Sequence, residues 1–305
     1  MDEPRSQRGR FSFMSTSIPT EPREARLNNF NLLRLIFATL VIVSHAPEIQ
    51  DGNRKRELLT RVFGTISFGD LAVDSFFILS GYLITKSWVS HPHVFTYLKS
   101  RVLRIYPGFA VASLLCAFII GPIFGTPSYF TDFSNYLYLK SLAMLRPPAT
   151  PPIFPGTFYP VVNGAMWSIY VEFCCYLFVL AFGFLGLFAR RYIWAILTLV
   201  AIGTYVLHQS QVIQMTAWHF MNLRCFMAFF SGGLFYLYKA EIPWRNDLAF
   251  AALALAIILI FGTAVSEVGV SLLWGYVILQ FAHSSKALLS FNKLPDVSYG
   301  TYLYA

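Results

Sequence analysis

The sequence predicts an all-α, polytopic integral membrane bundle, and two observations support this fold class. The first is composition: 56% of the 305 residues are hydrophobic and only 12% are charged, whereas a soluble domain carries about 25% charged residues. The second is a series of apolar segments with the roughly 20 residues that a helix needs to cross a bilayer of about 30 Å. A soluble chain of this length would need more polar surface.

Eight apolar segments are expected to form transmembrane helices, and a ninth begins near Val297. The eight spans lie near residues 28–46, 69–88, 105–122, 165–188, 192–209, 222–238, 248–265 and 268–283. The last residues, "SYGTYLYA", have the character of the first turns of a helix. We therefore expect eight or nine helices in this chain and a natural C-terminus beyond Ala305.

Two segments fall outside this pattern of apolar helices. Residues 1–27 are polar and basic and lack the apolar region of a signal peptide, which predicts a disordered cytoplasmic tail. Residues 28–305 then form one transmembrane domain. The stretch 123–164 contains "RPPATPPIFPG", whose prolines exclude a regular helix there, whereas "SNYLYLKSLAML" before it can form a short interfacial helix. A loop this long is expected to cap the bundle or to carry function.

The basic residues predict an N-terminus in the cytoplasm. With this orientation, 15 Lys and Arg residues lie on the inner side of the membrane and 6 on the outer side, in agreement with the positive-inside rule. The cluster "NRKRELLTR" in the first outer loop is the exception. The net charge of +8 is mainly a topology signal. Without a basic stripe that carries interleaved aromatic residues, no nucleic-acid partner is predicted.

Ionisable residues inside the spans are the first functional candidates. Each costs a few kcal/mol to place in a bilayer, so its presence favours a functional role. The candidates are Arg34, His45, Asp70, Asp74, Glu172, Arg224 and Glu267.

The first span, "RLIFATLVIVSH", places Arg34 and His45 at its two ends. In a helix, eleven residues separate them by roughly 16 Å and by three turns plus about 20°, so they share one face. Arg34 could instead extend to the inner headgroups, and His45 could be an interfacial residue. The shared face favours a functional pair, because histidine titrates near neutral pH and can take a proton from a hydroxyl group.

The second span, "GDLAVDSFFILSGYLITKSW", carries Asp70 and Asp74 on one face near its outer end. Asp74 is expected to lie near His45, where it could fix the tautomer of the imidazole. The alternative is that the helix dipole favours both acids at the start of the helix. Gly81 permits the close approach of a neighbouring helix, and Ser80 can donate a hydrogen bond across the interface.

The third and fourth spans open with charged residues. "KSRVLRIYPGF" places Arg101 and Arg104 on one face at the inner side, where two guanidinium groups near free backbone N–H groups would suit a phosphate. An ordinary positive-inside anchor is the alternative. "GAMWSIYVEFCCY" places Glu172 within the first two turns of its span, at a depth where a carboxylate needs a partner.

Taken in order, these four segments resemble the membrane-bound acyltransferase 3 family, which O-acylates surface sugars. The resemblance runs from about Asn29 to the end of the chain, where "VSYGTYLYA" is similar to a late helix of the family. It implies a multi-pass enzyme of the cell inner membrane. Such an enzyme moves an acyl group, here expected to be acetyl, from cytoplasmic acyl-CoA to a hydroxyl group of a glycan or glycolipid. The resemblance also leads us to expect the family's final helix or helices beyond Ala305. Because residues 28–305 carry no hydrolase-like domain of the kind that some members have, we expect direct transfer to the acceptor.

The resemblance also implies roles for individual residues. It maps Arg34 and His45 onto an essential pair in the first helix, Arg101 and Arg104 onto arginines that engage the CoA phosphates, and Glu172 onto the acid of the "WSxxxE" segment. In the expected mechanism His45 takes the proton of the acceptor hydroxyl, and Asp74 or Glu172 orients or charges His45. Arg34 steadies the pantetheine or an oxyanion. With neither a metal cluster nor a nucleotide loop in the sequence, no bound cofactor beyond the acyl donor is expected.

Two other classes of function are alternatives for a membrane protein with buried charges. A secondary transporter for a sugar lipid or an acyl compound would use the histidine and the acids to relay protons. It would show inverted repeats and two broken helices at matching positions, and the sequence shows neither. A structural membrane subunit would leave the costly buried charges unexplained. The acceptor sugar and the length of the acyl group stay open at this point.

Overall fold

The computed structural model describes residues 29–262, 264–283 and 297–304, so the predicted tail at residues 1–27 lies outside the described residues. Within these ranges the regular elements are helices, which confirms the predicted all-α class. They are α1 (Phe30–Asp51), α2 (Leu58–Phe63), α3 (Phe68–Ser90), α4 (Val94–Leu115), α5 (Gly121–Phe124), α6 (Tyr129–Asp132), α7 (Asn135–Ala143), α8 (Trp167–Phe184), α9 (Arg191–Gln209), α10 (Ala217–Leu237), α11 (Asn246–Ile260), α12 (Ser266–Gly269), α13 (Gly275–His283) and α14 (Ser298–Tyr304).

Among the described residues, six helical segments have the length and apolar composition to cross a membrane. They are Phe30–Asp51, Phe68–Ser90, Val94–Phe124, Gly164–Phe184, Arg191–Gln209 and Ala217–Leu237. The expected count of eight or nine is not confirmed. The predicted span 248–265 contains the shorter helix α11, and the predicted span 268–283 contains the end of α12, a π-helical turn at Val270–Trp274 and α13. α11 is shorter than a membrane crossing requires. α12, the π-helical turn and α13 follow one another without a break from Ser266 to His283, but this segment is not among the six.

The third span begins earlier than its hydropathy indicates. α4 starts at Val94, where His93 caps the helix by accepting a hydrogen bond from the Thr96 N–H at 3.3 Å. Arg101 and Arg104 therefore lie about two to three turns inside the helix. The prediction that they flank free N–H groups at a helix start is wrong, because the N–H groups inside a helix bond to the preceding turn.

Helix α3 lies at the centre of the bundle and contacts α1, α8 and α10. Its backbone touches that of α10 at two glycines. A Cβ atom added at Gly81 would overlap the carbonyl oxygen of Phe229, and one added at Gly232 would overlap the carbonyl oxygen of Ile78. The close helix approach predicted at Gly81 is confirmed. This contact fixes the position of α3, which carries Asp70 and Asp74, against α10, which carries Arg224.

Helix α14 is short and lies beside α1 and α4. The Tyr299 hydroxyl donates a hydrogen bond to the Ile105 carbonyl of α4 at 3.0 Å. The Asn163 side chain, at the end of the long loop, donates a hydrogen bond to the Leu303 carbonyl at 2.7 Å. The second bond holds the loop that precedes α8 next to α14. The same loop lies over the His45 end of α1, where Tyr159, Val161 and Asn163 line a space shared with His45. This position agrees with the expectation that the loop caps the bundle.

Candidate functional site

Two cavities contact helix α1. The first, which we name the arginine cavity, is lined by Arg34, Arg104 and Glu172. The second, the histidine cavity, is lined by His45 and Glu48. Arg34 and His45 thus reach different cavities from one helix, roughly 16 Å apart along its axis. The predicted common face of the two residues agrees with this arrangement.

The arginine cavity brings together three of the predicted site residues from three helices. Arg34 comes from α1, Arg104 from α4 and Glu172 from α8. The Glu172 carboxylate accepts hydrogen bonds from the Tyr176 hydroxyl and, at 3.5 Å, from the Ser80 hydroxyl of α3. The predicted bond from Ser80 across the helix interface is therefore present. Two guanidinium groups and one carboxylate thus line this cavity, and guanidinium groups can bind an anionic or carbonyl-rich ligand.

Arg101 lies outside the arginine cavity, although it is one turn from Arg104. Its guanidinium donates a hydrogen bond to the Ser87 hydroxyl at 3.2 Å and lies over the rings of Tyr97 and Tyr176, at 5.5 Å and 5.8 Å from their centroids. Cation–π contacts of this kind stabilise a partly buried charge. The two arginines predicted as one phosphate site therefore have different surroundings, and Arg101 is partly committed to packing.

In the histidine cavity the imidazole of His45 has a carboxylate partner. Its Nδ1 atom lies 3.1 Å from Glu48 Oε2, and the two side chains are 30% and 21% exposed. In the neutral imidazole, a carboxylate that accepts the Nδ1–H bond fixes the tautomer in which Nε2 is the acceptor nitrogen, as a general base requires. The sequence analysis missed Glu48, although the spacing of three residues in "SHAPE" places the two side chains on one helix face.

The long loop contributes Tyr159 to the histidine cavity. Its ring centroid lies 6.2 Å from that of His45. Burial raises the pKa of the Tyr159 hydroxyl, and the negative charge of Glu48 raises this pKa further. The phenol therefore stays protonated at neutral pH and can donate a hydrogen bond to a ligand in the cavity.

A buried ionic cluster lies beside the histidine cavity and is centred on Arg224. Its guanidinium lies 2.8 Å from Asp70 Oδ1, 3.2 Å from Asp74 Oδ1 and 3.5 Å from Glu267 Oε1. Asp74 is fully buried. Asp70 and Arg224 line the cavity, so the cluster forms part of its wall. Asp70 also forms a capping box with Ser67, in which each side chain bonds to the backbone of the other, as expected for an acid at a helix start.

The structure does not join His45 to Asp74, as we expected from their positions near the ends of adjacent helices. Asp74 binds Arg224 of α10, and the carboxylate beside His45 is Glu48 of the same helix. The physical reason is that Asp74 lies on the side of α3 that contacts α10, where a buried guanidinium needs its charge. A direct role for Asp74 in orienting His45 therefore has no geometric support.

The described residues contain no group of three or more His, Cys, Asp or Glu side chains arranged to hold a metal ion. The charged groups that line the arginine cavity are two guanidinium groups and the Glu172 carboxylate. The histidine cavity is lined by His45 with its carboxylate partner Glu48, by Asp70 and by the guanidinium groups of Arg54 and Arg224. This set can bind an anion in one cavity and withdraw a proton from a ligand in the other.

Comparisons with known proteins place this geometry in context. Residues 27–304 match the profile of a family described as an acyltransferase domain, the acyltransferase 3 family. An O-acetyl transferase of Shigella phage Sf6 is 32% identical over 152 residues, which are 49% of this chain and 44% of that protein. Nodulation protein 10 of Rhizobium leguminosarum bv. viciae is 30% identical over 160 residues, 49% of this chain and 42% of that protein.

The matched region thus spans less than half of the length of either relative. No solved structure gave a significant match.

Proposed function

The chain belongs to the acyltransferase 3 family, and on this premise we propose that it is a membrane O-acyltransferase. It moves an acyl group from acyl-CoA to a hydroxyl group of a glycan or glycolipid, and the acyl group we propose is acetyl. The observation that carries the proposal is the placement of Arg34 and His45. One helix presents a cation to the arginine cavity and a base with its carboxylate to the histidine cavity, as a two-substrate transfer requires.

The arginine cavity holds the acyl donor in this proposal. Arg104 binds a phosphate of CoA through charge-assisted hydrogen bonds, and Arg34 steadies the pantetheine arm or the developing oxyanion. Arg101 extends the positive surface toward Ser87. Glu172 holds the tyrosine and serine hydroxyls around the donor in place. Entry of the donor from the cytoplasm, with the protein in the cell inner membrane, agrees with the distribution of basic residues in the sequence.

The histidine cavity holds the acceptor. Nε2 of His45 removes the proton from the acceptor hydroxyl, while Glu48 accepts the hydrogen bond of Nδ1–H and stabilises the imidazolium that forms. The alkoxide oxygen attacks the thioester carbonyl, the C–S bond of the tetrahedral intermediate breaks, and the CoA sulfur takes the proton back from His45. Asp74 acts at most indirectly, through Arg224 in the wall of the cavity.

Radiolabel transfer from acetyl-CoA tests this proposal. Membranes that contain the protein should transfer label to a lipid or polysaccharide fraction, and His45→Ala should lower the rate by about 10²–10⁴-fold. His219→Ala is the matched control, because that exposed histidine contacts Thr216 at the start of α10. If wild-type membranes transfer no label, or His45→Ala transfers as well as wild type, the proposal fails. Uptake of a labelled sugar lipid without covalent transfer would identify a transporter instead.

A further inference from the structure

Two residues line both cavities and so separate them. Val73 of α3 and Tyr302 of α14 face the arginine cavity on one side and the histidine cavity on the other. Tyr302 also faces the space between the long loop and α1, where it again lies with His45. A group that passes directly from the arginine cavity to the histidine cavity therefore meets these two side chains.

Tyr302 is held in place by contacts with three other parts of the chain. Its hydroxyl donates a hydrogen bond to the Ala165 carbonyl at 2.8 Å, and the Ser168 hydroxyl lies 2.6 Å from the same oxygen. The centroid of its ring lies 5.7 Å from that of Phe76 in an edge-to-face arrangement. Because the hydroxyl end is tethered and the ring is packed, the side chain cannot turn aside without losing these contacts. It is a rigid wall.

Building on the proposed function, we infer that Tyr302 is the specificity-determining residue for acyl length. In that function the thioester carbon reaches His45 while the CoA phosphates stay near Arg104, so the acyl group must pass the partition formed by Tyr302 and Val73. A rigid wall admits a short acyl group and rejects a longer one by steric overlap. One methylene group in such a pocket changes the specificity ratio by about 10–200-fold.

The test compares initial rates of transfer from radiolabelled acetyl-CoA and butyryl-CoA in membranes. Tyr302→Ala should raise the ratio of butyryl to acetyl transfer by about tenfold or more, and Val73→Ala should raise it less. Tyr302→Phe keeps the ring and should leave the ratio near the wild-type value. Tyr304→Ala is the matched control, because Tyr304 lies on the same helix, is exposed and lines neither cavity. This variant should also leave the ratio unchanged.

The outcomes separate this inference from the proposed function. Measurable transfer with an unchanged ratio in both Tyr302→Ala and Val73→Ala would overturn the inference and leave the function standing. An equal change in Tyr304→Ala would also overturn it. Absence of any transfer by the wild-type protein would overturn the proposed function itself. If Tyr302→Ala fails to fold, Val73→Ala decides the question, since it opens the same partition without breaking a hydrogen bond.

Discussion

The Nδ1 atom of His45 lies 3.1 Å from the Glu48 carboxylate, one turn further along the same helix. This pairing makes Glu48 a positioning residue for the proposed base, in addition to the histidine itself. The two residues belong to one element, so their geometry does not depend on how the bundle assembles. They can therefore be tested together by substitutions that leave the rest of the cavity in place.

We expect Glu48→Gln to lower the rate of acyl transfer by about 10²-fold or more, up to the 10⁴-fold seen when a base loses its carboxylate. Acyl-CoA affinity should stay unchanged, because the carboxylate contacts neither the donor nor its cavity. Single-turnover transfer and calorimetric titration measure the two effects. Asp51→Asn is the control. Asp51 lies one turn beyond Glu48 in α1 and pairs with Arg56, so its substitution should have little effect on the rate of transfer. A loss of donor affinity in Glu48→Gln would contradict the assignment.

The two arginines of α4 should respond differently to substitution. Arg104→Ala removes a charge from the arginine cavity and should weaken acetyl-CoA binding by about 1.5–3 kcal/mol. Arg101→Ala should affect binding less and stability more, because its guanidinium packs over Tyr97 and Tyr176. Calorimetric titration with acetyl-CoA and thermal unfolding in detergent separate the two effects. The opposite order of affinities would mean that Arg101, and not Arg104, faces the donor.

Removal of the buried cation of the ionic cluster should be strongly destabilising. Arg224→Gln leaves three carboxylates without their common partner, and we expect a loss of about 3–5 kcal/mol. Arg191→Gln breaks an ion pair with Glu241 whose side chains are both 48% exposed, and should cost about 0–1 kcal/mol. Unfolding by titration with a denaturing detergent measures both. Equal effects would show that the Arg224 cluster is accessible to solvent.

The contact of α3 and α10 predicts a contrast between two glycines. Gly81→Ala places a methyl group on the Phe229 carbonyl oxygen and should destabilise the protein by about 1–3 kcal/mol or more. Gly203→Ala in α9 meets open space and should stabilise it by up to about 1 kcal/mol. The same detergent titration applies. Tolerance of Gly81→Ala would mean that the two helices lie further apart.

The proposed orientation can be tested with an impermeant thiol reagent in a background without the four native cysteines. Phe158 lies in the long loop at the His45 end of α1, so a cysteine at this position should be labelled from outside intact cells. His91 directly follows the C-terminal end of α3, on the other side of the bundle, so a cysteine there should be labelled only after permeabilisation. Both positions are exposed. The reverse pattern would invert the topology and move the acceptor to the cytoplasmic side.

Sequence reasoning predicted the relationships that lie within one helix and missed those that join helices. The common face of Arg34 and His45 follows from helical periodicity alone, and Glu48 could have been found in the same way. The Arg224 partner of Asp74 could not, because 150 residues of chain separate them and only the packing of α3 on α10 brings them together. The start of α4 was misplaced because its first turns are polar, so hydropathy marked only the apolar part.

The backbone contact between α3 and α10 also restricts how the protein can move. Two helices that touch through Gly81 and Gly232 have no side-chain layer in which small rotations could be absorbed. Sliding of one past the other would require atomic overlap, so we expect the pair to behave as a single rigid body. Val73, which lies between the two cavities together with Tyr302, belongs to α3. Its side of the partition is therefore anchored to this rigid pair of helices.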